Sequence, residues 1–214
     1  MESFYNVKSV CPKNHGWLVA NLTKKAMDRL WSYASIADWD VTKNLAGNIS
    51  CSRQLQDKDD WFFTEMLKPL IDKYENDFEP PAKLQMTKNH PLVLDRFWIN
   101  YQREMEFNPL HDHSGVYSFV IWMKIPTYSE EQHKSFVSGR SNTPKASDFD
   151  FTYIDILGTI RQHTYLMNPE KEGTMLFFPA SLNHQVYPFY NSDKERVSIS
   201  GNLSLDSSIV MNLK

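Results

Sequence analysis

His111 and His113 flank an aspartate in the stretch PLHDHSGV, residues 109–116, just ahead of the run YSFVIWMKI, residues 117–125. That run is rich in aromatic and β-branched residues and closes at Pro126, the pattern of a buried strand. On an extended chain, residues two apart point the same way, so both imidazoles aim at one point while Asp112 faces the opposite side. Two neutral imidazoles suit iron, zinc, copper or nickel, and a third ligand from a distant strand completes one face of a coordination sphere. His184, in GTMLFFPASLNHQV, is the candidate third ligand, although spacing alone does not bring it to the other two. Further on, RVSISGNLSL alternates Arg196, Ser198 and Ser200 with Val197, Ile199 and Gly201, which puts a guanidinium and two hydroxyls on one strand face. Burying that cation is costly without an anion, and its planar fork grips a carboxylate bidentately.

These groups need a rigid frame, and the chain supplies two kinds of element. Before residue 85 the pattern is mostly helical. Thr23 is placed to cap a helix with Ala26, Leu30, Tyr33 or Ala34, and Ala37 on one face. Asp59 or Asp60 opens a second helix with Phe62, Met66, Leu70 and Tyr74 at four-residue intervals, which Pro69 should kink or split. After Pro80 and Pro81 the period changes to that of strands: 92–104, 117–125, 149–156, 160–167, 174–179, 184–188 and 196–205. This order predicts one α+β domain over 1–214, mainly β, with a helical support region over 1–85 and a jelly-roll or barrel core over 86–206. The polar stretch 127–148 interrupts the strand rhythm, and its length makes it a candidate lid. Lys134, Arg140 and Lys145 within it read as solvated loop charges.

Composition bounds the function. The chain has 214 residues, 41% hydrophobic and 23% charged, with a formal net charge of -3, an ordinary globular balance with no electrostatic footprint for nucleic acid. Neither a signal-peptide pattern at the N-terminus nor an apolar run long enough to span a bilayer is present, which predicts a cytoplasmic protein. Two cysteines, Cys11 and Cys51, are too few for a disulfide framework or a thiolate zinc site. His15, His90, His133 and His163 read as structural histidines, and Trp98, Phe119, Trp122, Phe177 and Phe178 as core.

HDH at 111–113, LFFPASLNH ending at 184, and RVS at 196–198 together resemble the HxD…H…RxS signature of Fe(II)- and 2-oxoglutarate-dependent oxygenases. The surrounding stretch WINYQREMEFNPLHDHSGVYSFVIWMKIP is similar to prolyl-hydroxylase-like oxygenases of marine bacteriophages and bacteria. The resemblance spans residues 92–205. It implies a double-stranded β-helix, cupin-like in form, whose Fe(II) binds the 1-carboxylate and keto oxygen of 2-oxoglutarate and leaves one position for O2. It further implies that Arg196, helped by Ser198, holds the distal carboxylate, and that Tyr101 stands near the cosubstrate. The family usually has a carboxylate two residues after the first histidine, where this sequence has His113. Two arrangements follow: a site of His111, His113 and His184, or a bulge that turns Asp112 inward in place of His113. The first needs no distortion of the strand.

The activity so implied couples decarboxylation of 2-oxoglutarate to succinate with hydroxylation of a C–H bond in a small molecule or peptide, prolyl residues included, in the cytoplasm of a host cell if the gene is a phage's. Beyond the metal ligands no catalytic side chain is required. A different class of protein on the same scaffold is a cupin-like binder of a metal or small acid, or a phage structural protein, and Arg196 with Ser198 argues against it. A three-histidine enzyme that does not use 2-oxoglutarate leaves Arg196 unexplained.

Overall fold

Thr23 caps the first helix as its position suggests, its side chain accepting from the Ala26 N–H, and the helix buries Ala26, Leu30 and Ala34. In the computed structural model, which describes residues 8–9, 14–78 and 91–206, ten strands and three α-helices follow in a fixed order. They are β1 (Leu18–Asn21), α1 (Lys24–Ser35), β2 (Ser52–Gln54), α2 (Lys68–Asp77), β3 (Leu92–Gln102), β4 (Asn108–His111) and β5 (Tyr117–Lys124). Then come α3 (Ser129–Lys134), β6 (Phe149–Ile154), β7 (Ile160–Tyr165), β8 (Thr174–Pro179), β9 (Asn183–Val186) and β10 (Arg196–Leu205). Cys11 and His90 lie outside the described residues.

The second helix departs from its expected form in an instructive way. Its first N–H groups, those of Phe62 and Phe63, donate to the carboxylate of Asp57, so Asp57 is the cap rather than Asp59 or Asp60. Phe62–Leu67 is wound as a π-helix that runs into α2 one residue before Pro69. Proline offers no N–H, and the wider turn before it accommodates that loss. The extra residue also shifts the apolar stripe. Phe62, Leu67, Ile71 and Tyr74 are buried, whereas Met66 and Leu70, expected on the core side, are only partly covered.

The strands form two antiparallel sheets, a large one in the order β1-β8-β5-β10-β3-β2 and a small one in the order β4-β9-β6-β7. Alternation on the large sheet creates two cores. Phe97, Ile99, Phe119, Ile121, Phe177 and Ile199 face the helices, while Val120, Trp122, Leu176 and Phe178 meet Phe149 and Phe151 of the small sheet. Burying both faces of a sheet explains why β5 and β8 read as continuous apolar runs. The segment before residue 85 is not purely helical, because β1 and β2 close the two edges of the large sheet.

Candidate metal and cosubstrate site

Between the sheets the apolar packing gives way to a polar cavity of about 230 Å³. Its walls come from alternate residues of the two long strands. β10 contributes Arg196, Ser198, Ser200 and Asn202, and β3 contributes Gln102, Asn100, Trp98 and Arg96, in register opposite them. Tyr101, expected near the cosubstrate, pairs with Val197 on the other face of the sheet and packs toward the helical core. The parity of the strand excludes it from the cavity, and Asn100 and Gln102 occupy the adjacent inward positions.

The three histidines do converge. His111 ends β4 and stands opposite His184 on β9, and His113 follows in the loop to β5, held by its N–H to the Ala180 carbonyl at 2.8 Å. The pair therefore straddles the end of β4 instead of heading the buried strand. One ligand nitrogen from each ring lies within 4.8 Å of the other two. His111 donates Nδ1–H to the Pro109 carbonyl at 2.7 Å and His184 donates Nδ1–H to the Leu182 carbonyl at 2.9 Å, which leaves each Nε2 lone pair free. The Nε2 atoms of His113 and His184 are 3.2 Å apart. Two imidazoles bound at about 2.1 Å and at right angles would have their nitrogens about 3.0 Å apart, so the spacing fits adjacent positions on one ion. Asp112 is exposed at the cavity rim and is not part of this cluster.

Electrostatics agrees with a cation site made of neutral rings. Burial, then the neighbouring His111 and Arg96, holds His113 down to about 4, and burial holds His184 well below its ordinary value. Both rings stay unprotonated at neutral pH with lone pairs available.

At the closed end, Arg196 is 2% exposed. Its Nη2 donates to the carbonyl oxygen of Ser147 at 2.8 Å and to the Ser147 hydroxyl, and its face lies over Phe189. Nε and Nη1 are buried with no partner. Burial lowers its pKa to about 10, which leaves it charged at neutral pH. A buried cation with two nitrogens that lack hydrogen-bond acceptors is the observation that fits an anionic carboxylate. Half-buried Ser198 lines the same cavity.

Ser147 and its neighbour Asp148 carried no signal in the sequence, because they belong to the stretch 127–148 whose packing is tertiary. That stretch is no flap over the mouth at its anchored ends. Gln132 exchanges hydrogen bonds with the backbone of Tyr190, Ser129 binds Asn168, and Ser147 backs Arg196. Lys145, expected as a solvated charge, is paired with fully buried Asp150.

A protein-family profile described as "Putative 2OG-Fe(II) oxygenase" matches residues 96–202, half of the chain. No curated protein matches the chain in sequence. Among solved structures, an oxidoreductase of the 2OG-Fe(II) oxygenase family from Burkholderia pseudomallei is similar, with TM-score 0.51 and 12% identity over 88% of this chain and 84% of that one. HygX from Streptomyces hygroscopicus, with nickel, 2-oxoglutarate and hygromycin B bound, gives 0.51 and 11% over 90% and 84%. A Pseudomonas putida prolyl-4-hydroxylase gives 0.50 and 13% over 87% and 91%. These likenesses show the fold, a double-stranded β-helix. With the profile spanning the strands that carry the three histidines and Arg196, the chain belongs to the 2-oxoglutarate- and Fe(II)-dependent oxygenases.

Proposed function

We propose that the protein is a hydroxylase in which His111, His113 and His184 hold Fe(II) and Arg196, with Ser198, holds the distal carboxylate of 2-oxoglutarate. The observation that carries this reading is the pair of unpartnered buried nitrogens on Arg196, in the same cavity as the three imidazoles. When bound, the iron and cosubstrate supply the oxidising power that inserts oxygen into a C–H bond. The chain's own residues orient and exclude. The Pro109 and Leu182 carbonyls fix two ring orientations, Trp98, Trp122 and Phe149 wall the cavity, and Arg196 sets the depth to which a dicarboxylate enters. The substrate is a small molecule or a peptide, and a prolyl side chain is the first to try, by likeness to the Pseudomonas putida enzyme.

The test is anaerobic absorbance of the Fe(II)-loaded protein before and after adding 2-oxoglutarate. A visible charge-transfer band appears only with 2-oxoglutarate in wild type, persists in Asp112→Ala and disappears in His113→Ala. No band in folded, iron-loaded wild type sinks the assignment, and loss of the band in Asp112→Ala alone makes Asp112 the third ligand.

A further inference from the structure

Behind Arg196 stands a second buried charge that the oxygenase chemistry does not call for. Asp148 has no solvent exposure. Its Oδ2 lies 2.8 Å from His133 Nε2, and its Oδ1 is buried without a partner. Asp148 and Arg196 therefore each carry unsatisfied atoms of opposite charge, yet no ion pair within 4.0 Å joins them among the described residues. Ser147, next to Asp148 in the chain, takes the one guanidinium nitrogen that is bonded. Asp148 is the group that favours the charged form of Arg196 against its burial.

The charged and titratable groups that reach Asp148 come from every side. His133 on α3 and Lys145 in the α3–β6 connection favour its ionisation, while Asp150 on β6 opposes it. Lys145 is largely spent on Asp150, whose two oxygens it binds along with Thr164. The Tyr187 phenol is held up by burial and by both aspartates. Burial dominates the balance and pushes the Asp148 carboxyl up to about 6.

A cosubstrate carboxylate accepting from the free guanidinium N–H groups would put two anions beside one almost fully buried cation. Buried Asp148 is the anion with the weaker hold, because Arg196 does not bond to it directly. We propose that Asp148, held by His133, is the resident counter-ion of Arg196 and takes up a proton from solvent when the distal carboxylate of 2-oxoglutarate binds. Asp148 is thus a positioning residue that acts through Arg196, and the inference rests on the reading that Arg196 receives that carboxylate. Linkage then requires 2-oxoglutarate affinity to rise as pH falls from about 8 to about 6, so long as the metal stays bound.

Anaerobic calorimetry of 2-oxoglutarate binding to metal-saturated protein, in buffers of different ionisation heat near pH 7, counts the protons. Metal already on the three imidazoles removes them from the count. Wild type is expected to take up a sizeable fraction of one proton per cosubstrate bound. Asp148→Asn should abolish the uptake and bind 2-oxoglutarate several-fold more tightly at about pH 8, where wild-type Asp148 is ionised. Normal binding with no proton uptake in wild type overturns the inference without needing the variant to fold, as does uptake that persists in Asp148→Asn. Binding that survives Arg196→Met unchanged sinks instead the assignment of Arg196 to the cosubstrate, while the charge-transfer band reports separately whether the metal chelates 2-oxoglutarate.

Discussion

His113 occupies the place where a carboxylate would reduce the charge of the site before any cosubstrate arrives. Three neutral imidazoles leave a bound Fe(II) with its full double charge, and the incoming dianion meets all of it. His113→Asp should therefore keep metal binding and weaken 2-oxoglutarate by about tenfold, or ~1.4 kcal/mol, measured from the charge-transfer titration. An unchanged affinity would count against this charge argument. A second prediction concerns Ser147, which holds Arg196 from a left-handed backbone, φ 76°. Ser147→Gly and Ser147→Ala both remove the hydroxyl that Arg196 and Thr127 share, so both should weaken 2-oxoglutarate. Only alanine keeps the strained conformation of a side chain at positive φ, so thermal denaturation should find it about 1 kcal/mol less stable than the glycine variant. Strand parity puts Arg196 and Ser198 on one face, and spacing pairs His111 with His113, whereas only the fold brings His184 to them. Tyr101 was misplaced because parity is only decisive once the register with β10 is known, and Ser147 and Asp148 were silent because a long loop has no period.

At the scale of the element, β10 does most of the positioning. It is one of the two central strands of the large sheet, between β5 and β3, and its cavity-lining residues run from Arg196 to Asn202. Gly201 lies where a Cβ would come within 2.5 Å of the Arg96 carbonyl oxygen and of the Phe119 ring. Backbone cannot move aside as a side-chain tip can, so Gly201→Ala should cost about 2 kcal/mol or more in denaturant unfolding. Because the damage falls on the strand that aims Arg196, 2-oxoglutarate affinity should fall with it. All seven strands expected after residue 86 agree with the observed ones to within two residues at each end. The strands missed were β1, β2 and β4, of four, three and four residues, too short to show a period of two, and the six-residue helix α3 was missed inside the polar stretch 127–148. The π-helical turn before Pro69 was foreseen only as a kink or a split, since the sequence marks where the hydrogen-bond pattern must break and not how the chain recovers.

At the scale of the whole molecule, the two halves of the site belong to different sheets. His111 and His184 ride on the small sheet, Arg196 rides on the large one, and His113 sits in the loop that joins them. The aromatic layer of Trp122, Phe149, Phe151 and Phe178 packs between the sheets, and His184 lies against Phe149 and Phe178, so the imidazole cluster shares in that contact. Without metal the buried rings make that contact sensitive to acid. His113 has its pKa depressed to about 4 and His184 well below its ordinary value, so between about 6.5 and 4 the unfolded chain binds protons that the folded chain refuses. Their contribution is complete above about pH 6.5 and is lost as pH falls, on the order of 3 kcal/mol from His113 alone. Asp148 works in the other direction. Its raised pKa, about 6, makes the folded chain the better proton binder above the ordinary carboxylate range, so acidification through about 6 favours folding at that position. Melting temperatures of chelator-treated protein should thus fall from about pH 6.5 to about pH 4, and fall more steeply in Asp148→Asn, where the opposing group is gone. A divalent ion on the three imidazoles excludes those protons and should move the decline to lower pH. Identical pH profiles with and without metal would mean that the three rings do not bind the ion.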